Sequence, residues 1–355
     1  MKRTDLSYPT LPAAQFLYIL WKLLNPIPVK HFLFLLIILC AQSFSGQTTF
    51  LVDNFSKDYF GKVYIADTAE VFSPGWVAVF DKKTNKQLLK INSEELTFTL
   101  HEGKVRANVQ QLPYGEQSSI IYADFNFDGQ EDFALMDGQN SCYHGPSFQI
   151  YLADAQGFNH SPEFTELAQD YCGMFSVVAE DQSIFTMTKS GCCWHQYSEF
   201  KVKNNIPYPI HIVEESLSAN GITWNYSEEK LVNGKMVKTQ YQMLDTENIS
   251  EDLVLSFAFE NKKVMRIFLY NERLFYVFTD DRDHIELMYD DTFRYSAKNN
   301  TLSFTHRQTT YTLSDRKIIA RTPARTYTMN AAANSTSGSL AKLKKMDIGN
   351  VVKEK

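Results

Sequence analysis

Short apolar or alternating segments recur along the chain, separated by turn-forming residues. Residues 62–66, 76–80, 87–91 and 96–100 each have strand length and are rich in β-branched, aromatic or alternating apolar positions. Residues 81–85, Asp-Lys-Lys-Thr-Asn, have the composition of a hairpin turn. Residues 118–123 and 133–136 bracket an acidic loop, and 147–152, 175–179, 183–188 and 197–202 continue the series. Helical periodicity is confined to one or two turns at 163–169. The pattern changes near 214–225. A second series follows at 253–259, 264–270, 273–278, 284–289, 292–296, 301–306 and 310–313, joined by short turns. Closely spaced strands with short turns predict antiparallel meanders. The expected fold class is therefore mainly β, with two antiparallel β domains. The first, over 47–215, is a sandwich or is partial-propeller-like; the second, over 216–322, is a meander or barrel. Residues 323–355 turn polar and small around 330–338 and read as a flexible linker and tail.

Composition agrees. Of 355 residues 14% are aromatic, with 26 Phe and 19 Tyr, types that suit a pleated, half-buried surface. Charge narrows the partners. The net charge is −6, and Lys2, Arg3, Lys22 and Lys30 against Asp5 give the first 46 residues +3, which leaves −9 on the remainder. Such a chain lacks the basic footprint of a nucleic-acid binder, and no nucleic-acid partner is expected.

Residues 1–46 read as an N-terminal extension and signal peptide. Residues 32–41, FLFLLIILCA, follow Lys30 and His31 and precede the small residues Ala41, Ser43 and Ser45. That is a secretory pattern, too short for a bilayer span of ~20 apolar residues. The run lies far from Met1, and an alternative start at Val29 would make the signal compact. The expected location is the periplasm or the exterior of a bacterial cell, with no stable membrane span after cleavage. Cleavage between Ser43 and Gln47 removes Cys40 and leaves Cys142, Cys172, Cys192 and Cys193. An even count in an exported chain predicts two disulfides. A bond between the adjacent Cys192 and Cys193 would strain the peptide joining them. Each is therefore expected to pair with a different one of Cys142 and Cys172. A zinc site is the weaker alternative, because the C-x2-C spacing is missing.

The most specific motif is Asp124-Phe-Asn126-Phe-Asp128-Gly129-Gln130-Glu-Asp132. Side-chain oxygens at Asp124, Asn126, Asp128 and Asp132, with the backbone carbonyl of Gln130, suit Ca²⁺, which takes ~6–8 oxygen ligands. Gly129 supplies the sharp turn. Position twelve is Leu135, not the glutamate of an EF-hand, and both flanks are strand-like. A strand–loop–strand calcium site is expected, structural in role, with Phe125, Phe127 and Phe133 tying the loop to a core. The alternative is an acidic turn without metal.

On these residues the chain resembles exported bacterial β proteins with FG-GAP-like DxNFDGxxD calcium loops. The likeness runs over about 118–212 and includes Phe148-Gln-Ile-Tyr151 and Ser190-Gly-Cys-Cys-Trp-His195. One branch of that family resembles periplasmic lysozyme inhibitors and immunity proteins. The resemblance implies a binding protein that inhibits a lysozyme-type, peptidoglycan-cleaving hydrolase through a Ser-Gly loop. Here that loop would comprise Lys189, Ser190, Gly191, His195 and Tyr197, offering donors to the two carboxylates of such an enzyme. The spacing departs from the family's Ser-Gly-x-Tyr pattern. A different class of function competes with this one: a calcium-stabilised structural or carbohydrate-binding module of the envelope.

Catalysis is not expected. Cys192 and Cys193 beside His195 are oxidised in this reading. Asp280, Asp281 and Asp283 read as a hairpin turn, with Asp290 and Asp291 in the next one. No G-x-S-x-G, H-E-x-x-H or P-loop pattern occurs.

Overall fold

A computed structural model of the chain describes residues 48–53, 55–108, 118–247, 249 and 252–354. The expected signal peptide, Cys40 and the start at Val29 lie outside the described residues. The chain is mainly β, with several antiparallel sheets and no closed barrel among the described residues. It divides into two compact units. One contains the residues up to Ile121 together with Leu135–Gly138, and the other contains Tyr122–Ala134 and everything from Gln139 onward.

The first unit carries β1 (Thr48–Asp53), β2 (Tyr59–Ile65), β3 (Ser73–Asp81), β4 (Gln87–Leu96), β5 (Leu100–His101) and β6 (Lys104–Arg106), ordered β4-β3-β2-β1-β6-β5. Every pairing is antiparallel except β1 with β6. Alternation sorts β2, where Val63 and Ile65 are buried and Lys62 and Tyr64 are partly exposed, whereas in β3 the run Val77-Ala78-Val79 is buried throughout. The turn expected at 81–85 is present. Asp81 accepts hydrogen bonds from the amide and the hydroxyl of Thr84, which hold its carboxyl below the usual range, and Asn85 takes the positive φ.

Three further groups of strands follow. The strands β7 (Ile120–Ala123), β8 (Asp132–Ser141), β9 (Gly145–Asp154) and β10 (Gly157–His160) form a sheet ordered β10-β9-β8-β7. The one α-helix among the described residues, α1 (Pro162–Leu167), sits where helical turns are expected. Ser161 caps it by accepting the amide of Phe164, with proline in its first turn. Next come β11 (Ser176–Val178), β12 (Ser183–Ser190), β13 (Trp194–Lys203), β14 (Ile206–Leu217), β15 (Thr223–Val232) and β16 (Lys235–Leu244), six strands in sequence order in one antiparallel sheet. The expected boundary at 215/216 falls inside β14, so this sheet runs straight across it.

The remaining strands are β17 (Leu253–Ala258), β18 (Val264–Tyr270), β19 (Arg273–Thr279), β20 (Ile285–Tyr289), β21 (Phe293–Ser296), β22 (Thr301–His306), β23 (Thr309–Ser314), β24 (Lys317–Arg321), β25 (Thr326–Asn330), β26 (Ser337–Gly338) and β27 (Val351–Glu354). They form two sheets, β20-β19-β18-β17-β26 and β25-β24-β23-β22-β21-β27. Both feed one core that includes Leu255, Phe257, Tyr276, Phe293, Phe304 and Leu313. This is a two-sheet packing rather than a barrel.

Residues 323–354 are not a free linker and tail. Leu340, Leu343 and Ile348 enter that same core. Asp315 accepts hydrogen bonds from the Leu340 amide and the Ser339 hydroxyl. The buried Asn350 side chain bonds both backbone groups of Leu274 and the carbonyls of Asp290 and Asp291. Small polar residues at 330–338 imitate a linker in composition, but the apolar positions beyond them have a core to enter.

Candidate functional site

The oxygen loop lies between the end of β7 and the first residue of β8, a strand–loop–strand arrangement as expected. Its side chains fold inward onto its own amides. Asp124 accepts from the amides of Asp128 at 3.0 Å and Gly129 at 2.8 Å. Asn126 Oδ1 accepts from Asp128 at 3.2 Å, and Asp128 Oδ1 from Gln130 at 2.8 Å. Phe127 and Gly129 take positive φ, 65° and 87°, and at Gly129 it is this conformation that favours glycine, since a Cβ would meet nothing. Phe125 and Phe133 are buried, against Phe175 and Phe158 respectively. Phe127 is only half-buried and contributes less to the anchor.

Asp132 is the unusual member. It is fully buried, and its two oxygens accept the amides of Phe125 and Ala153, both at 2.8 Å. Burial, with smaller contributions from the charges of Asp128 and Asp124, pushes its carboxyl up to about 7 against those two hydrogen bonds. No cationic side chain among the described residues pairs with it.

Among the described residues no three His, Cys, Asp or Glu side chains are by themselves gathered as a metal site. The donor set nevertheless fits a hard cation. Every candidate donor is an oxygen. The loop closes around Asp124, Asn126 and Asp128, and a buried carboxylate near two others lacks a counter-charge. Asp124, Asn126, Asp128 and Asp132 are the side chains that would hold Ca²⁺, with the Gln130 carbonyl. The side-chain amide of Asn126 is already tied to Asp128 and to Asn205 in the β13–β14 turn.

The candidate partner loop is the tip joining β12 to β13. All four described cysteines are oxidised, but the pairing differs from expectation. Cys142 bonds Cys172, and Cys192 bonds its neighbour Cys193. The backbone explains both pairs. Cys142 and Cys172 lie with Cα atoms 4.9 Å apart. Ser141 bridges their segments by donating to the Tyr171 carbonyl and accepting the Gly173 amide. Ser190 pairs with Trp194 across the hairpin, so residues 191–193 make the reversal, and Gly191 takes φ +64°. That tight turn sets the two sulfurs side by side.

The tip is held from outside by Tyr143. Its hydroxyl accepts the Gly191 amide, and Lys189 Nζ lies 5.3 Å from its ring centre. Tyr143 follows Cys142 directly and is 62% exposed, at a backbone φ of 54°. One disulfide therefore fixes the residue that steadies the turn containing the other.

Strand register sorts the five expected partner residues. Lys189, His195 and Tyr197 share one face of the sheet, while Ser190 and Trp194 share the other. Gly191 is at the exposed tip. His195 is not a free donor: its Nδ1 lies 3.1 Å from Glu215 Oε1. Glu215 also accepts from Tyr226, whose hydroxyl is pushed up to about 12 by burial and by this carboxylate. Tyr197 is 46% exposed. Tyr143, Glu215 and Tyr226 were not among the expected residues. The adjacency of Tyr143 to Cys142 is a signal for the first; the other two come from strand register, which spacing along the chain does not disclose.

The acidic group at 280–283 is a turn. Asp280 accepts the amides of Arg282 and His284 and meets His284 Nδ1 at 2.9 Å, while Arg266 pairs with Asp283 at 2.8 Å.

No family model matches the sequence, and no curated protein matches it. Among solved structures the chain is similar to a Xanthomonas type IV secretion system related protein, at 22% identity and a TM-score of 0.43, over 55% of this chain and 94% of that one. A putative 6-phosphogluconolactonase from Bacteroides uniformis overlaps 82% of this chain and 85% of its own, at 8% identity and a TM-score of 0.22. TolB from Acinetobacter baumannii overlaps 78% and 64%, at 8% identity and a TM-score of 0.20. Overlaps this loose carry no activity across to this chain.

Proposed function

We propose that this is an exported, calcium-stabilised β protein that binds and inhibits a lysozyme-type hydrolase of the cell wall through the β12–β13 tip. The observation behind the reading is the built rigidity of that tip. A vicinal disulfide and the Tyr143 hydroxyl both restrain it, although Gly191 and Cys192 at its tip are exposed. A loop ordered before contact loses less entropy on binding. Lys189 and Ser190 stand at its base with a charged and a neutral donor, suited to a carboxylate-lined cleft. Two disulfides support an oxidising compartment, in keeping with the signal pattern. Calcium in the 124–132 loop would neutralise the buried Asp132 and, through Asn126 and Asn205, steady the β13–β14 turn.

The test is inhibition of a lysozyme-type muramidase by the full exported chain, alongside the Lys189→Ala/Ser190→Ala variant. A central contact of this kind costs ~2 kcal/mol or more when truncated, a ~30-fold loss of affinity. The variant should lose inhibition by that factor with its melting temperature unchanged. Equal inhibition by parent and variant would remove the loop from the reading.

A further inference from the structure

A separate site lies on the face of the β11–β16 sheet opposite His195 and Tyr197. Adjacent strands place side chains in rows there. Trp194, Ser216, Asn225 and Gln242 are successive cross-strand partners from β13 to β16, and so are Gln196, Glu214, Ser227 and Gln240. Each row points to one side of the sheet because side chains alternate along a strand. The two rows are therefore a two-by-four array with one indole, two hydroxyls, four amides and one carboxylate. An open cleft of about 220 Å³ runs over it, lined by Trp194, Glu214, Ser216, Asn225, Ser227 and Gln240 among others.

We propose that this cleft binds a neutral sugar ring of a glycan. Three observations point to that ligand class. First, no Lys or Arg lines the cleft, so nothing there would recognise a phosphate or an acidic chain. Second, amides and hydroxyls alternate as donors and acceptors around a single indole, which gives a flat apolar surface for a pyranose ring and polar groups for its hydroxyls. Third, the array holds unused bonding capacity. Ser227 Oγ is shielded from solvent and makes no hydrogen bond. Gln242 donates to Asn225 Oδ1 at 2.7 Å, which leaves the Asn225 N–H2 to donate. A row of neutral polar groups beside a tryptophan suits a polyol. A protein partner would favour a larger apolar centre than one indole.

Binding is read by intrinsic tryptophan fluorescence and by saturation-transfer NMR on the full exported chain. The two probes are N-acetylated chitotriose and cellotriose, which separate amino sugars from plain hexoses. At least one should give saturable binding. Asn225→Ala/Gln240→Ala should weaken it ~10-fold or more with an unchanged melting temperature, and Trp194→Phe should keep part of the affinity that Trp194→Ala removes. Two results overturn the proposal: no saturable signal with either sugar up to ~10 mM, or equal binding by the Asn225→Ala/Gln240→Ala protein. Ser190 borders the cleft as the cross-strand partner of Trp194, so hydrolase inhibition is read separately with Lys189→Ala, whose side chain lies on the opposite face, and either result then leaves the other proposal standing.

Discussion

Residues 118–217 and 253–354 are both mainly antiparallel β structure, with β21 and β27 of the second stretch pairing in parallel, yet they are held together by different physics. The second stretch has no cysteine and is organised around a ring cluster. Phe304 lies with its ring centre 4.8 Å from Tyr276, 4.4 Å from Tyr289 and 4.8 Å from Tyr311. The buried Asn350 there is fully engaged with backbone, although the shielded Thr336 hydroxyl has no hydrogen-bond partner. The first stretch buries Asp132 without a cationic partner and adds two disulfides. An uncompensated buried carboxyl reduces stability unless something binds it. The comparison places the oxygen loop and the β12–β13 tip in the first stretch and scaffold in the second.

The largest effect should come from the scaffold. Phe304→Ala deletes the hub of the ring cluster and should cost ~3–5 kcal/mol. Denaturant unfolding with calcium and with chelator should show the same loss in both, because the site of damage is remote from the oxygen loop. A loss confined to one condition would mean that the two stretches are not energetically distinct.

The oxygen loop should behave in the opposite way, with a strong dependence on ions and pH. The Asp132 carboxyl is raised from 3.8 to about 7 in the folded chain without metal. Its proton then stabilises the folded state fully below about pH 4, and that stability is lost as pH rises through about 7. At ~1.4 kcal/mol per unit, the loss is ~4 kcal/mol. Calcium favours the ionised form and should flatten the profile. Melting curves from pH 4 to 8 with chelator and with calcium test this; parallel profiles would remove Asp132 from the site. Asp128→Ala should erase the calcium gain, ~2.7 kcal/mol at a hundredfold excess over Kd.

The disulfides sharpen the contrast within the first stretch. Cys142–Cys172 closes a loop across 30 positions, and replacing both by serine should cost ~2–4 kcal/mol. Cys192–Cys193 closes almost no chain, so the matching serine pair should leave the melting temperature nearly unchanged while weakening any partner binding by the tip. Equal thermal losses would mean that the vicinal bond is a stability element instead.

How legible this was depends on where side chains point. The strands of 253–314 were readable nearly to the residue, because they are short apolar runs between turn residues; Arg273–Thr279, for example, is buried along most of its length. β15 and β16 gave no such signal: most of their residues are partly exposed on both faces, so no alternation marks them. The tail was hidden by small polar residues that precede Leu340 and Leu343. In the candidate site the oxygen loop was legible because its donors are contiguous. The Glu215–His195 pair was not, because it depends on strand register, nor was the vicinal disulfide, because it depends on a three-residue reversal.

The smallest effect concerns Tyr143. Its hydroxyl accepts the Gly191 amide, and nothing else in the described tip replaces that bond. Tyr143→Phe keeps the ring beneath Lys189 and removes only the oxygen. The bond is exposed, so its net contribution to folding is ~0.5–1.5 kcal/mol at most, and much of that returns when water takes the amide. The melting temperature should barely move. Partner binding is more sensitive, because a freed Gly191 must be ordered again at each encounter, at ~1 kcal/mol for one backbone residue. Inhibition by Tyr143→Phe should therefore weaken ~5-fold, mainly through faster dissociation, while the glycan cleft on the other face binds as before. Unchanged inhibition would show that the vicinal disulfide orders the tip alone, and an equal loss of sugar binding would show that the two faces are not independent.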